Sequence, residues 1–460
     1  IKATMEPREH KESTTNNRET HLSETRTKGL KQTEKAPNDF SWRKIDINET
    51  TTPSLNIFIK QRSKTKEILK AITDFDSLTT AILNFCGLPL NKRTELYGLR
   101  IAITNFEERM QEETVGWSFY TDLLPNIISW CFECTADTLP LLAAGETGSL
   151  AFTAKEIRYI LANGFFCNLR SVGYLEGRIF GEVNFFSVYN NSDLGVERTL
   201  CQLAYLWKAK DIDTERLVVF KRHVLNDEIK WEADDTAIRA DTVNVHVERM
   251  EDTPSKVFVD FANKILHIGH IIPSLTQEEV LFSCAPECFP GMLFCEQLED
   301  NEVITIHNCK RYSEYSGYLY SFKYTGFYKS PPGQDSIFDV IAVDATMYNQ
   351  WSEYMVDRDL GKAYLSFLPF EGKTISTGHW GCGAFGGDKF LKFAQQIMAA
   401  TAAKVKLDYS TFKKENERKM LRNFLNSIVA KDMTVGKLYS LIFEYRKETK
   451  NQSFTDFIAQ

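Results

Sequence analysis

The chain has 460 residues, of which 43% are hydrophobic and 12% aromatic, so it can bury a large core and form two or more domains. Its net charge of −7 argues against a general binder of nucleic-acid backbones, which would carry a basic excess. Recognition of an anionic polymer would have to be local, through backbone amides and a few basic side chains.

The cysteines and the hydropathy pattern indicate the cellular compartment of the protein. Ten cysteines are scattered along the chain, mostly inside apolar runs, as buried thiols in a reducing compartment would be. No stretch resembles a signal peptide, and none is apolar over a length that would span a bilayer. We therefore expect a nuclear or cytosolic protein without membrane contact.

Three regions follow one another along the chain. Residues 1–50 are charged and polar without helical or strand periodicity, which predicts a flexible leader. Residues 51–215 predict a helical domain, in which Thr153 and Glu156 form a capping box at the start of a helix. The helices are predicted at 65–75, 78–85, 104–113, 118–132 and 153–163.

The third region, residues 216–460, alternates strand-like runs with helical patterns. This interleaving predicts a layered α/β sheet. The predicted strands are 256–261, 302–307, 319–327, 339–344 and 404–409, and the predicted helices are 276–282, 389–403, 413–428 and 434–447.

A glycine-rich segment, residues 378–388, precedes the predicted helix at 389–403 and contains five glycines. Glycines allow backbone amides to converge, and the free amides of a following helix N-terminus add partial positive charge, which together suit a phosphate or diphosphate. A tight structural turn is the alternative, since the segment matches neither the dinucleotide fingerprint nor the Walker pattern.

A second motif, residues 275–282, places Glu278 and Glu279 at the start of a predicted helix. Thr276 and Glu279 have the spacing of a capping box, which is a purely structural interpretation. The functional interpretation is that one carboxyl group protonates a departing sugar oxygen and then activates water, as in glycosidic cleavage. Residue spacing alone leaves both interpretations open.

These two motifs, together with residues 259–263 and 312–318, occur in the order found in one family. Over residues 60–450 the chain resembles the poly(ADP-ribose) glycohydrolases. The resemblance implies a macrodomain-like, three-layer α/β/α core with a mixed sheet, preceded by an α-helical accessory domain. It also implies hydrolysis of the ribose–ribose O-glycosidic bond of poly(ADP-ribose), release of ADP-ribose, and a role in the DNA damage response without a metal or redox cofactor.

The resemblance assigns roles to individual residues. It makes Glu279 the catalytic acid/base and has Glu278 hold ribose hydroxyls. An aromatic residue at an assigned position could equally belong to the core. The implied substrate-binding residues are Gln277, Glu251, Tyr318 and Phe412 around adenine, Gly381, Cys382, Gly383, Ala384 and Phe385 at the diphosphate and distal ribose, Asn263 near the ribose, and His379 and Gly269 beside them.

The sequence departs from the family where three consecutive glycines are common, because His267, Ile268 and Gly269 stand there instead. A β-branched Ile268 is poorly suited to a positive φ, so we expect this loop to hinder turnover. The alternative function is therefore a catalytically impaired protein that binds ADP-ribose or its polymer. The expected partners are poly(ADP-ribose) and ADP-ribosylated proteins, with no direct DNA binding, and a monomer is expected.

Other close pairs of metal-ligand residues give weaker signals. Cys131 with Cys134, and Cys284 with Cys288, lie in apolar contexts without two further compatible ligands. His267 and His270 lack helical spacing and an intervening glutamate. We therefore expect no metal site.

Overall fold

The computed structural model describes residues 43–44, 54–56, 62–89, 95–134, 138–170, 173–175, 177–448 and 452–460. The predicted leader lies outside the described residues except for one short strand. The α-helices are α1 (Arg62–Lys70), α2 (Phe75–Phe85), α3 (Tyr97–Glu113), α4 (Leu124–Trp130), α5 (Ala154–Phe165), α6 (Phe186–Tyr189), α7 (Leu194–Lys208), α8 (Gln277–Cys284), α9 (Gly291–Phe294), α10 (Glu353–Phe367), α11 (Lys389–Ala402), α12 (Glu415–Ala430), α13 (Val435–Glu448) and α14 (Phe454–Ala459).

Strands fall mainly in the second half of the chain. They are β1 (Arg43–Lys44), β2 (Ser54–Asn56), β3 (Thr138–Pro140), β4 (Gly148–Thr153), β5 (Tyr174–Leu175), β6 (Arg178–Ile179), β7 (Leu217–Val224), β8 (Val243–His246), β9 (Val257–Ala262), β10 (Glu302–Lys310), β11 (Ser313–Ser316), β12 (Lys323–Phe327), β13 (Ile337–Asp344), β14 (Thr374–Gly378) and β15 (Lys406–Ser410).

Nine strands form one sheet in the order β1-β4-β7-β10-β13-β9-β14-β15-β8. The pairs from β1 to β13 are antiparallel, and those from β13 through β9, β14 and β15 to β8 are parallel. The predicted mixed sheet is therefore confirmed. Its parallel half brings the carboxyl ends of β9, β14 and β15 to one edge.

Alternation along the strands divides the core between the two faces of the sheet. Ile304 and Val340 belong to a buried cluster that includes residues of α3, α5 and α7. Val303 and Ile341, one residue away on the same strands, belong to a second cluster with residues of α10, α11 and α12. Helices thus cover both faces, and the predicted three-layer α/β/α core is confirmed.

The sheet also includes part of the region that the sequence predicts to be helical. β4 pairs with β7 over its full length, from Gly148 opposite Arg222 to Thr153 opposite Leu217. α5 then begins at the predicted capping box, where Thr153 N donates to Glu156 Oε2 at 2.8 Å. The helical region is therefore joined to the sheet through β4, and the predicted domain boundary at residue 215 stays a prediction.

Two predicted elements were wrong in part. The predicted helix at 118–132 is a π-helical turn, Phe119–Leu123, followed by α4, and Pro125 lies in the first turn of α4, where its missing N–H is tolerated. The predicted strand at 319–327 begins with a 3₁₀ turn because Leu319 has a φ of 52° and the Ser321 hydroxyl accepts from Tyr318 N at 3.0 Å. α10 and β14 were not predicted. Among the described residues, no helix has the length and apolarity that crossing a membrane requires.

A buried ion pair ties the antiparallel half of the sheet to the preceding loop. Arg222 of β7 pairs with Glu302 of β10, and both side chains are fully buried. Arg222 Nη2 also donates to Leu142 O at 3.1 Å, and Glu302 Oε1 accepts from Gly145 N. Removing one partner would leave the other charge buried without compensation.

We expect Arg222→Met to lower the free energy of unfolding by about 3–5 kcal/mol, the usual scale for an orphaned buried charge. Urea unfolding would measure the loss. The matched control is Arg239→Met, since the Arg239–Asp241 pair has both side chains about two-thirds exposed. This variant should lose far less stability than Arg222→Met. Equal losses in the two variants would show that the Arg222–Glu302 pair is not a stabilising contact.

Candidate active site

Two adjoining cavities, of about 290 and 420 Å³, open at the carboxyl ends of β9, β14 and β15. Their combined size suits a small-molecule ligand. Because they have lining residues in common, we treat them as one cleft. All of the predicted site residues except Gly269 line it, and the shared residues are Phe261, Gln277, Tyr318, His379 and Gly383.

Glu279 lies in the first turn of α8 and lines the smaller cavity. Its Oε2 accepts from Thr276 N at 2.7 Å, from Ser274 Oγ at 3.1 Å and from Thr276 Oγ1. Its Oε1 has no hydrogen-bond donor among the described residues. The capping interaction predicted from sequence is therefore present on one oxygen, and the other oxygen remains for a ligand.

Glu278 is held at the back of the same cavity. Its Oε1 accepts from His267 N at 2.5 Å and its Oε2 from Asn263 N at 3.3 Å. Burial, and then the neighbouring Asp260, raise the pKa of Glu278 well above its usual range, whereas the two amides lower it. Burial and the charge of Glu279 likewise raise the pKa of Asp260. This carboxyl cluster therefore favours retaining a proton.

The loop that replaces the expected glycines adopts the backbone conformation that glycines favour. His267 has a φ of 56° and Ile268 a φ of 52°, both left-handed. Each such residue costs about 1–2 kcal/mol relative to the right-handed region. Ile268, which is partly exposed, nevertheless lines the cleft. Ile268 thus adopts the positive φ for which a β-branched residue is poorly suited, and the expectation that this loop hinders turnover stays a prediction.

Gly269 is not part of the cleft. It has a φ of 75° and lies against Gly181, where a Cβ on Gly181 would approach the Gly269 Cα to 2.9 Å. Gly269 O accepts from Glu182 N at 2.9 Å. The close approach therefore requires a glycine at position 181, whereas Gly269 supplies the positive φ of the loop.

The glycine-rich segment presents free amides to the cleft. Within it, Gly386 N and Gly387 N donate to Gly383 O and Gly381 O. The backbone N–H groups of Gly383, Ala384 and Phe385 have no acceptor among the described residues, and all three residues line the smaller cavity. Successive free amides of this kind form a concave site for an anion. The segment can therefore bind a phosphate, as its composition predicts.

The N-terminus of the following helix does not contribute free amides as expected. Asp388 caps α11, and its Oδ1 accepts from Phe390 N and Leu391 N, each at 2.9 Å. This carboxylate already occupies the position that an anion would take at a helix N-terminus. The loop amides, rather than the amides of α11, are thus the available anion donors.

The larger cavity is lined by aromatic and polar groups. The rings of Tyr318 and Phe412 are in edge contact, with centroids 5.6 Å apart and planes at 65°. Glu251 Oε2 accepts from Tyr315 OH at 3.2 Å on the cavity wall. A flat heterocycle would find aromatic faces and a carboxylate acceptor here.

Gln277 has a structural task that the sequence did not indicate. Its Oε1 accepts from Phe261 N at 2.7 Å, and its Nε2 donates to Val259 O at 3.0 Å. β14 pairs with β9 only at Ser376 opposite Phe258, so β14 does not bond the backbone of β9 beyond that point. The Gln277 side chain makes hydrogen bonds to these β9 backbone groups instead. Only the second proton of Gln277 Nε2 and the second lone pair of its Oε1 remain for a ligand.

His379 borders both cavities. Its Nδ1 lies 3.2 Å from Tyr409 OH, and its Nε2 makes an ion-pair contact with Glu417 Oε2 at 2.7 Å. Burial lowers the pKa of His379, and Glu417 opposes that effect. Beside it, burial raises the pKa of the Cys382 thiol to about 12, so this cysteine is not a thiolate nucleophile.

Sequence analysis missed two functional candidates. Asp260 is fully buried in β9, and its two carboxyl oxygens lack hydrogen-bond partners among the described residues. An acidic residue within an otherwise apolar strand pattern was a usable signal. Arg198, on α7, reaches the loop before Glu279, and nothing in the local pattern of α7 distinguishes it.

Comparison with known families gives two adjacent matches. Residues 111–222 match the model of the helical domain of poly(ADP-ribose) glycohydrolase, and residues 229–419 match the model of its macro domain fold. Together the matched ranges cover about two thirds of the chain. Both ranges contribute residues described above, Arg198 from the first and the cleft from the second.

Individual relatives agree with this result. Poly(ADP-ribose) glycohydrolase 1 of Caenorhabditis elegans is 32% identical over 216 residues, which is 42% of this chain and 28% of the relative. Probable poly(ADP-ribose) glycohydrolase 2 of Arabidopsis thaliana is 26% identical over 375 residues, 67% of this chain and 72% of the relative. The chain thus spans under a third of the nematode relative's length and nearly three quarters of the plant relative's. It belongs to the poly(ADP-ribose) glycohydrolase family.

Proposed function

We propose that this chain hydrolyses the ribose–ribose O-glycosidic bonds of poly(ADP-ribose) and releases ADP-ribose. The observation that carries the proposal is the set of groups that one cleft brings together. Glu279 and the free amides of residues 383–385 line the smaller cavity, Phe412 lines the larger one, and Tyr318 lines both. A carboxyl group, converging amides and aromatic rings match the ribose, the diphosphate and the adenine of ADP-ribose. The names of the nematode and plant relatives support the same activity.

In the proposed reaction, Glu279 is a general acid and then a general base. Its protonated carboxyl group gives a proton to the leaving ribose oxygen as the anomeric C–O bond breaks, and positive charge develops at the anomeric carbon. The resulting carboxylate accepts a proton from water as the water oxygen bonds to that carbon. One water molecule is consumed, and ADP-ribose leaves with its new hydroxyl group.

The remaining groups bind and orient. The backbone amides of Gly383, Ala384 and Phe385 donate to the diphosphate oxygens. Because several N–H dipoles converge there, the negative charge does not need a basic side chain. Glu278, held by two backbone amides, accepts from ribose hydroxyls. Tyr318 and Phe412 contact the adenine through their ring faces.

The proposal extends to partners and setting. The substrates would be poly(ADP-ribose) and proteins that carry it, bound by a monomer without direct DNA contact. We infer a nuclear or cytosolic location and a role in the DNA damage response. The cysteines support a reducing compartment, since eight of the ten are buried.

The first test of function changes the acid/base. Glu279→Gln keeps an acceptor for Thr276 N but cannot transfer a proton, so release of ADP-ribose from the polymer should fall at least ~10²-fold. ADP-ribose affinity, measured by calorimetry, should stay within about threefold. Activity within a few fold of wild type would reject Glu279 as the acid/base, and a wild type that binds but releases nothing would favour the binding-only alternative.

The chain offers a matched control for the capping role of Glu279. Thr153 N donates to Glu156 Oε2 as Thr276 N donates to Glu279 Oε2, but Glu156 lies at the start of α5 outside the cleft. Glu156→Gln should lower thermal stability by an amount similar to Glu279→Gln, about 1 kcal/mol, with turnover unchanged. Loss of turnover in both variants would indicate a structural effect.

A second test concerns the adenine end. Tyr318→Ala should weaken ADP-ribose binding by roughly 1–3 kcal/mol, the range found for base–aromatic stacking. Tyr320→Ala is the control, because Tyr320 is 86% exposed two residues away and does not line the cleft. Equal ADP-ribose affinities for the two folded variants would show that Tyr318 does not contact adenine.

A further inference from the structure

One buried arginine from the helical region contacts both ends of the loop that leads to the catalytic glutamates. Arg198 of α7 donates through Nη1 to Ile272 O at 2.6 Å and to Ser274 O at 3.3 Å, and its Nη2 lies 2.9 Å from His267 Nε2. The side chain is 2% exposed. The planar guanidinium can join these acceptors in one fixed arrangement, which a lysine cannot do.

The partners of His267 determine its tautomer. A guanidinium only donates, so His267 Nε2 must accept from Arg198. A carbonyl only accepts, so His267 Nδ1 must carry the proton and donate to His270 O, at 2.9 Å. Burial, and secondarily the charge of Arg198, lower the pKa of His267 to about 3. The neutral ring therefore bridges Arg198 and the loop backbone at physiological pH.

The same loop holds the two glutamates from its two ends. At its start, His267, which has a left-handed backbone, donates through its N–H to Glu278 Oε1 at 2.5 Å. At its end, Ser274 Oγ donates to Glu279 Oε2 at 3.1 Å. A change in the loop would therefore move donors to both carboxylates.

We propose that Arg198 and His267 form a clamp that holds residues 267–274 in this conformation and thereby positions Glu278 and Glu279. The inference rests on the proposed hydrolase function, which the glutamates perform. Glycines would reach the left-handed region without a side-chain penalty, whereas here two hydrogen-bonded side chains hold non-glycine residues there. Arg198 and His267 are positioning residues and do not touch the substrate.

An ordinary packing role does not account for Arg198 equally well. Its Nε is buried and has no hydrogen-bond partner among the described residues. Burying an incompletely satisfied guanidinium is unfavourable, and an apolar side chain of similar length would fill the space without that cost. The Arg198 guanidinium is instead placed to donate to the polar acceptors of the loop.

The experiment compares full chains carrying Arg198→Met, Arg198→Lys, His267→Leu or His267→Gln with the wild type. We expect kcat for poly(ADP-ribose) hydrolysis to fall at least ~10²-fold in Arg198→Met and His267→Leu, since a displacement of about 1 Å has that effect. KM should stay within about threefold. His267→Gln, whose amide can both accept and donate, should recover at least ~10-fold of the loss.

The matched control is Arg158→Met. Arg158 is another buried arginine of the helical region, bonded to Glu133 and to Ala209 O at 2.7 Å, so its removal destabilises without touching the loop. Its kcat should equal that of the wild type. The clamp is wrong if Arg158→Met lowers kcat as much as Arg198→Met does. It is also wrong if the kcat of His267→Gln is no higher than that of His267→Leu.

Hydrogen exchange separates the clamp from the proposed function. Backbone amides of residues 267–274 should exchange at least ~10-fold faster in Arg198→Met, with β10 and β13 still protected. If Arg198→Met does not fold, the same comparison uses Arg198→Lys, which keeps the positive charge but loses the planar set of N–H donors. An inactive wild type whose loop is loosened by these variants would reject the hydrolase function alone, and unchanged exchange would reject the clamp.

Discussion

Burial of neighbouring carboxyl groups, and then their mutual repulsion, is the constraint on which the site depends. Burial, and then the charge of Asp260, raise the pKa of Glu278, and burial with the charge of Glu279 raises the pKa of Asp260. Burial lowers the pKa of Arg198 to about 10, and Glu279 opposes that change, so the arginine stays charged at neutral pH. Asp260 and Glu278 therefore favour a bound proton in this desolvated region.

The charged groups of this cluster come from both the helical region and the sheet. Arg198 comes from α7, Asp260 from β9, and the glutamates from the first turn of α8. The macrodomain layer alone would contain the acids without the cation. β4 makes the connection rigid, because it adds a strand from the helical part of the chain to the edge of β7.

Short local motifs account for the parts of the site that were predicted correctly. Both capping glutamates, Glu156 and Glu279, were predicted because a threonine three residues earlier needs only short-range geometry. Residue type alone disfavours the positive φ that Ile268 adopts, and the contacts of the adjacent His267 with Arg198 and His270 O depend on the tertiary structure. The free N-terminus of α11 was wrong for a local reason, as Asp388 is itself a good N-cap and was not weighed against the glycines.

Tertiary pairing limited the rest of the prediction. β4 lies in the region predicted to be helical, just before a capping box, and its pairing with β7 along its full length makes it a strand. Gln277 belongs to a motif that implies ligand contact. Because β14 diverges from β9, however, the Gln277 side chain makes most of its hydrogen bonds with backbone groups of β9. Sequence identifies such residues as polar and near the site. Only the strand arrangement determines which partners they have.

The cleft differs in rigidity along its length, and this bears on the order of ligand contacts. The amides of residues 383–385 are fixed by the turn bonds around them and by Trp380, whose Nε1 donates to Val343 O at 3.0 Å. In the larger cavity, Tyr318 and Phe412 touch edge to face, and a flat ring can enter between them only after the two rings separate. Under the proposed function, the amides would therefore meet the diphosphate without rearrangement, whereas the adenine would require the aromatic pair to open.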